Sequence, residues 1–112
     1  NGLDADILIA WKDADGKPVF ADEFVSLPAR GSVSYGGRRI SFDAARTWLI
    51  VKALATNPHM KVSMAFLDQS LINAVLDHAA KAGEDKGVIS KASRMLEHWK
   101  GHSDHMHVRI QP

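Results

Sequence analysis

The sequence has no cysteine, which excludes disulfides and every cysteine-ligated metal site. It also lacks a long apolar run. The longest is the five-letter stretch ILIAW at 7–11, far short of the roughly 18 residues that cross a bilayer, so no membrane span is expected. Neither sign of charge dominates, with 14 basic and 13 acidic side chains and a net charge of +1. Such a balance gives no electrostatic footprint for nucleic acid or an anionic membrane surface. No internal repeat, low-complexity tract or linker divides the chain. No signal peptide or initiator methionine is present, and the opening at Asn1-Gly2 is that expected of a processed or trimmed product. At 112 residues a single domain is expected, able to bury roughly two thirds of its unfolded surface. The one residue type in excess is histidine. There are six, and His98, His102, His105 and His107 fall close together near the end.

The pattern along the chain predicts an α+β fold. Residues 5–11 (ADILIAW) read as a mostly buried strand, with Ile7, Ile9 and Trp11 on one face. Asp13–Gly16 supplies turn chemistry, and Lys17–Phe20 returns as a short edge strand. Residues 26–39, with Pro28, Gly31, Gly36 and Gly37, read as a loop holding a brief hairpin. Ser41 is the expected N-cap of a buried helix that carries Ala44, Ala45, Trp48, Leu49, Val51, Leu54 and Ala55 and ends at Asn57-Pro58. Lys61–Leu67 reads as a strand, and 69–82 as a second helix stopped by Gly83. Ile89, Ala92, Met95, Leu96 and Trp99 define a third helix, stopped by Gly101, and His105–Gln111 closes the chain as a strand. Few strands separated by helices favour a small, mainly antiparallel sheet flanked by helices.

The chemistry is concentrated in His102-Ser103-Asp104-His105-Met106-His107-Val108-Arg109-Ile110. In a strand, His105 and His107 share one face while Met106, Val108 and Ile110 anchor the other in the core. His102, in the turn before it, can reach the same space. Converging imidazoles are costly to bury, because each ring nitrogen needs a partner. A divalent metal relieves that by taking neutral imidazole as ligand. The plainer reading, surface histidines on an edge strand, does not account for the alternating apolar face. His59 and His78 read as loop and helix-surface residues, and His98 as a structural or outer-sphere residue. An oxygen ligand is expected from Asp4 or Asp6, which share a face at the start of an otherwise apolar strand. Carboxylates there conflict with burial unless a cation holds them, although an aspartate at a strand start can also cap a turn. No H-E-x-x-H or G-x-S-x-G occurs, so a thermolysin-type zinc helix and an esterase elbow are absent.

Gly2-Leu3-Asp4-Ala5-Asp6, together with His102-Ser103-Asp104-His105-Met106-His107-Val108-Arg109, resembles the two motifs of the penicillin-insensitive murein endopeptidases. These belong to the zinc peptidase group that includes lysostaphin-type endopeptidases, D-Ala-D-Ala carboxypeptidases and the hedgehog signalling domain. The first motif has the form H-x-x-G-L-D-x-D and the second H-x-D-H-x-H-V-R. Residues 41–54 also resemble the family's long helix, so the resemblance spans most of the chain. It implies a hedgehog/D-Ala-D-Ala-peptidase-like fold, zinc as cofactor, and Asp6 and His107 as two zinc ligands. It further implies that His105 flanks the attacking water and that His102 is an additional active-site histidine. Asp4, Asp104 and His98 are left as outer-sphere or substrate-binding candidates. The family's first ligand histidine would fall three residues before Gly2, so the sequence is expected to lack that ligand and the N-terminal part of the domain. The substrate so implied is a D-alanyl amide in peptidoglycan cross-links, and the location periplasmic or exported. A D,D- or L,D-carboxypeptidase or phage endolysin on the same scaffold is the alternative. A non-catalytic zinc- or peptidoglycan-binding module is the third reading, since a scaffold does not dictate activity.

Overall fold

The computed structural model describes residues 3–19, 32–98 and 105–111, and the chain in these segments forms two small sheets and three helices. In chain order the elements are β1 (Leu3–Leu8), β2 (Trp11–Lys12), β3 (Pro18–Val19), β4 (Val33–Tyr35), β5 (Arg38–Phe42) and α1 (Ala44–Thr56). There follow β6 (Lys61–Leu67), α2 (Gln69–Lys81), α3 (Lys86–Met95), β7 (Leu96–His98) and β8 (His105–Gln111). The first sheet has the order β1-β8-β6-β7 and the second β3-β2-β5-β4. The fold is thus α+β, with every described strand pair antiparallel except β6 with β7.

The single strand expected over 5–11 is divided between the two sheets. β1 pairs with β8, whereas Trp11-Lys12 pairs with β5. The break falls where Ala10 is captured by the start of α1. Its N–H donates to Thr47 Oγ1 at 3.3 Å, and its carbonyl accepts from the Asp43 N–H at 3.0 Å. Both Asp43 and Thr47 are buried, and these bonds satisfy them there. Asp43, not Ser41, is the N-cap of α1. Its carboxylate accepts from the Arg46 N–H at 3.0 Å and also pairs with the Arg46 guanidinium. Ser41 is instead the last-but-one residue of β5, where it faces Lys12. The hairpin between β4 and β5 turns at Gly36-Gly37, with φ of 59° and 79°. Two consecutive positive φ values define the tight turn whose twist suits paired strands, and glycine adopts them without a Cβ clash.

α2 and α3 start on Asp68 and Asp85, whose carboxylates accept from Ser70 N–H and Val88 N–H. α3 ends earlier than its apolar spacing predicts. Leu96 turns extended and pairs with Ala65 of β6, so Leu96–His98 add a parallel strand to the sheet edge. Trp99 and Gly101 lie outside the described residues. The main core joins Trp48 and Val51 of α1, Leu71 and Val75 of α2, and Met106 and Val108 of β8. Leu49, expected inside, is 61% exposed on the opposite side of α1. The helices therefore cover one face of the first sheet. By strand alternation, His105, His107 and Arg109 stand on the other.

A polar clamp ties α1 to the segment before α3. Trp48 Nε1 donates to Glu84 Oε2 at 2.9 Å, and Lys52 Nζ lies 3.0 Å from Glu84 Oε1. The Trp48 hydrogen bond, then Lys52, holds the Glu84 carboxyl below its ordinary pKa. A carboxyl depressed in the folded state contributes stability above its unfolded pKa and loses it as pH falls through the folded value. The stability advantage of the wild type over Glu84→Gln is therefore expected at neutral pH and should shrink on acidification below the ordinary glutamate range. Urea titrations of both proteins across that range measure it. A difference independent of pH would show that the charge on Glu84 contributes nothing.

Candidate metal site on the open face of the first sheet

Residues from the two ends of the described chain build the site. β1 runs antiparallel to β8 in a register that sets Asp6 opposite His107 and Asp4 opposite Arg109. Because successive side chains alternate across a strand, Asp4 and Asp6 share the face that carries His105, His107 and Arg109. The apolar residues between the histidines, Met106 and Val108, are fully buried and fix that orientation.

The side chains converge. His107 Nδ1 lies 2.9 Å from Asp6 Oδ1, at hydrogen-bond distance, and His107 Nε2 lies 3.4 Å from Asp4 Oδ1. His105 Nε2 stands 3.7 Å from the same Asp6 oxygen. Arg109 Nε donates to Asp4 Oδ1 at 3.1 Å. That hydrogen bond, the largest influence on it, holds the Asp4 carboxyl below its ordinary pKa. Behind the group sits Phe66 of β6, paired in register with His107. Its ring centroid is 5.9 Å from that of His107, and the Arg109 guanidinium carbon lies 5.6 Å from it, within cation–π range.

A β-bulge brings Phe66 there. Val62 pairs with Ile110 and Met64 with Arg109, leaving Ser63 as an extra residue. The insertion reverses the alternation of β6, so that Ala65 and Leu67 enter the core while Met64 and Phe66 register with the site strand. Ser63 Oγ donates to the Arg109 carbonyl at 3.2 Å and secures the bulge against β8.

Two of the expected site residues, His102 and Asp104, lie outside the described residues. His98 is described, and it lies on β7, two strands from β8. Its Nδ1 accepts from the Gln69 N–H at 2.9 Å, in the first turn of α2. That is a structural use of the ring, one of the two readings its position in the sequence allowed. Asp4, Asp6, His105 and His107 are brought together. Arg109 and Phe66 complete the neighbourhood and were not singled out from the sequence. The period-two pattern continuing from His105 through His107 contained the signal for Arg109.

The donor set suits a hard or borderline divalent cation. Two carboxylates against one guanidinium leave one uncompensated negative charge when both imidazoles are neutral. Ligand atoms on one tetrahedral zinc at roughly 2.0–2.2 Å stand about 3.3–3.6 Å apart. The 2.9 Å between Asp6 Oδ1 and His107 Nδ1 is a hydrogen-bond distance shorter than that, and the 3.7 Å between Asp6 Oδ1 and His105 Nε2 is slightly longer. Small side-chain movements would let Asp6 share an ion with either ring. No group of three or more His, Asp or Glu side chains among the described residues forms a full metal-holding set. Comparison with protein-family models, curated proteins and solved structures returned no match.

Proposed function

We propose that the protein is a zinc metallopeptidase that hydrolyses D-alanyl amide bonds in peptidoglycan peptide cross-links, acting in the periplasm or outside the cell. The observation that supports it is the pairing of Asp6 with His107 across β1 and β8, with His105 next to them on the same face. The substrate class is what the resemblance of the two motifs to the murein endopeptidases implies, and a hedgehog/D-Ala-D-Ala-peptidase-like arrangement is part of the same reading.

Asp6 and His107 would hold the ion. Zinc in such a site acidifies water and polarises a carbonyl. The chain's own part is positioning and proton transfer. His105, whose Nε2 stands 3.7 Å from Asp6 Oδ1, would accept a proton from water and return it to the leaving amine. Phe66, largely buried, gives His107 an apolar neighbour, with ring centroids 5.9 Å apart.

The test incubates zinc and purified cross-linked muropeptide dimers with the 112-residue chain and with a chain extended upstream through the first-motif histidine, read by mass spectrometry. Release of two large fragments is expected from the extended chain, and slow release or none from the 112-residue chain. Release of a single terminal residue would make the protein a carboxypeptidase on the same chemistry. Zinc binding without any product from either chain would leave a binding module.

A further inference from the structure

Resting on the zinc reading above, we propose that Arg109 is a positioning residue of the metal site, acting through Asp4 on the ring of His107. The three form a continuous chain. Arg109 Nε donates to Asp4 Oδ1 at 3.1 Å, and that same oxygen lies 3.4 Å from His107 Nε2. The other ring nitrogen, Nδ1, faces Asp6 at 2.9 Å. One edge of the imidazole thus addresses the ligand carboxylate and the other addresses a carboxylate that is not a ligand.

An imidazole that gives one nitrogen to a metal must carry its proton on the other. The partner of that proton fixes both tautomer and ring orientation. Asp4 occupies that position. It is half-exposed, and an unbraced exposed aspartate samples several rotamers. Arg109 removes that freedom, since its guanidinium is held over the Phe66 ring and directs Nε at one Asp4 oxygen. Arginine suits the task better than lysine, because its planar group can stack and donate in a fixed direction at once. The register sets the arrangement, with Asp4 directly opposite Arg109 and one pleat away from the Asp6–His107 pair.

The experiment titrates zinc alone into the 112-residue chain and into Asp4→Ala, Asp4→Asn, Arg109→Ala, Arg109→Lys and the double alanine variant. Affinity and the ring 15N signals of His107 are read by NMR, and backbone spectra confirm that each variant is folded. Loss of an outer carboxylate typically weakens metal binding about 10–100-fold, and Asp4→Ala is expected in that range. Asp4→Asn, which keeps an acceptor oxygen, falls between it and the wild type. Arg109→Ala weakens binding by a smaller factor, and Arg109→Lys recovers part of it. Because Arg109 acts through Asp4, the double variant is no weaker than Asp4→Ala. In the zinc-loaded wild type the His107 proton resides on Nε2 and exchanges slowly, and in Asp4→Ala it exchanges faster. Independent, additive losses would overturn the proposal, as would wild-type affinity in Arg109→Ala. If the wild type binds zinc and Asp4→Ala binds it equally well, this inference alone fails. If neither the 112-residue chain nor the chain extended through the first-motif histidine binds zinc, the metal reading fails and takes the inference with it.

Discussion

Replacing His107 by alanine is expected to abolish both zinc binding and cleavage of cross-linked muropeptides, whereas His105→Ala should abolish cleavage and keep most of the zinc. The two roles follow from the resemblance of the motifs. The distances alone do not separate them, since 2.9 Å from Asp6 Oδ1 to His107 Nδ1 and 3.7 Å to His105 Nε2 both lie near the spacing of two atoms on one ion. A positioned general base contributes on the order of 10²–10⁴ to a rate, so His105→Ala should lose that factor with little change in metal content. Metal analysis beside turnover on the same preparations separates the two roles. Zinc lost with His105 and retained without His107 would exchange the assignments.

The largest loss of stability is expected from Trp48→Ala, at about 3–5 kcal/mol. Trp48 is 1% exposed, and it lies in the core cluster with Leu71 and Val75 of α2 and Val108 of β8. Its removal leaves a cavity at the meeting of helices and sheet, and takes the indole donor from Glu84. A domain of this length is stable by roughly 5–15 kcal/mol, so a large share of the total is at stake. Trp48→Phe restores most of the volume and should cost clearly less. Urea unfolding of both variants gives the comparison. Equal losses would assign the effect to the hydrogen bond rather than to packing.

The regular elements were legible where periodicity and punctuation agree. Lys61–Leu67 and His105–Gln111 form as read, and α2 runs between Asp68 and Gly83 as its spacing requires. The errors fall where tertiary contacts override local signals. Ser41 is a good capping residue by type, yet pairing of Phe42 with Trp11 extends β5 and passes the cap to Asp43. Leu96 continues the helical spacing of α3, yet its pairing with Ala65 draws it into a strand. The convergence of Asp4 and Asp6 on the histidine strand was legible, because two carboxylates on an apolar strand and two histidines on another each lack a natural partner. The place of Phe66 was not. It depends on the extra residue at Ser63, and because Met64, Ala65, Phe66 and Leu67 are all apolar, the sequence does not show which of them the shifted alternation turns to the core.

Asp6 and His107 are separated by 101 positions, and the ladder between β1 and β8 joins the two ends of the described chain. Contacts of such separation require closure of a very long loop, and they reward it only once the intervening chain is in place. The β1–β8 pairing is therefore expected late in folding, after α1, α2, α3 and β6 have assembled. A cation held between Asp6 and His107 would act as a clasp on a structure already formed. Ligands that bind only the native state stabilise it by mass action. When their contacts are absent from the transition state, they slow unfolding and leave refolding unchanged. Zinc should accordingly register in kinetics as a longer native-state lifetime, with the refolding rate the same in its presence and absence.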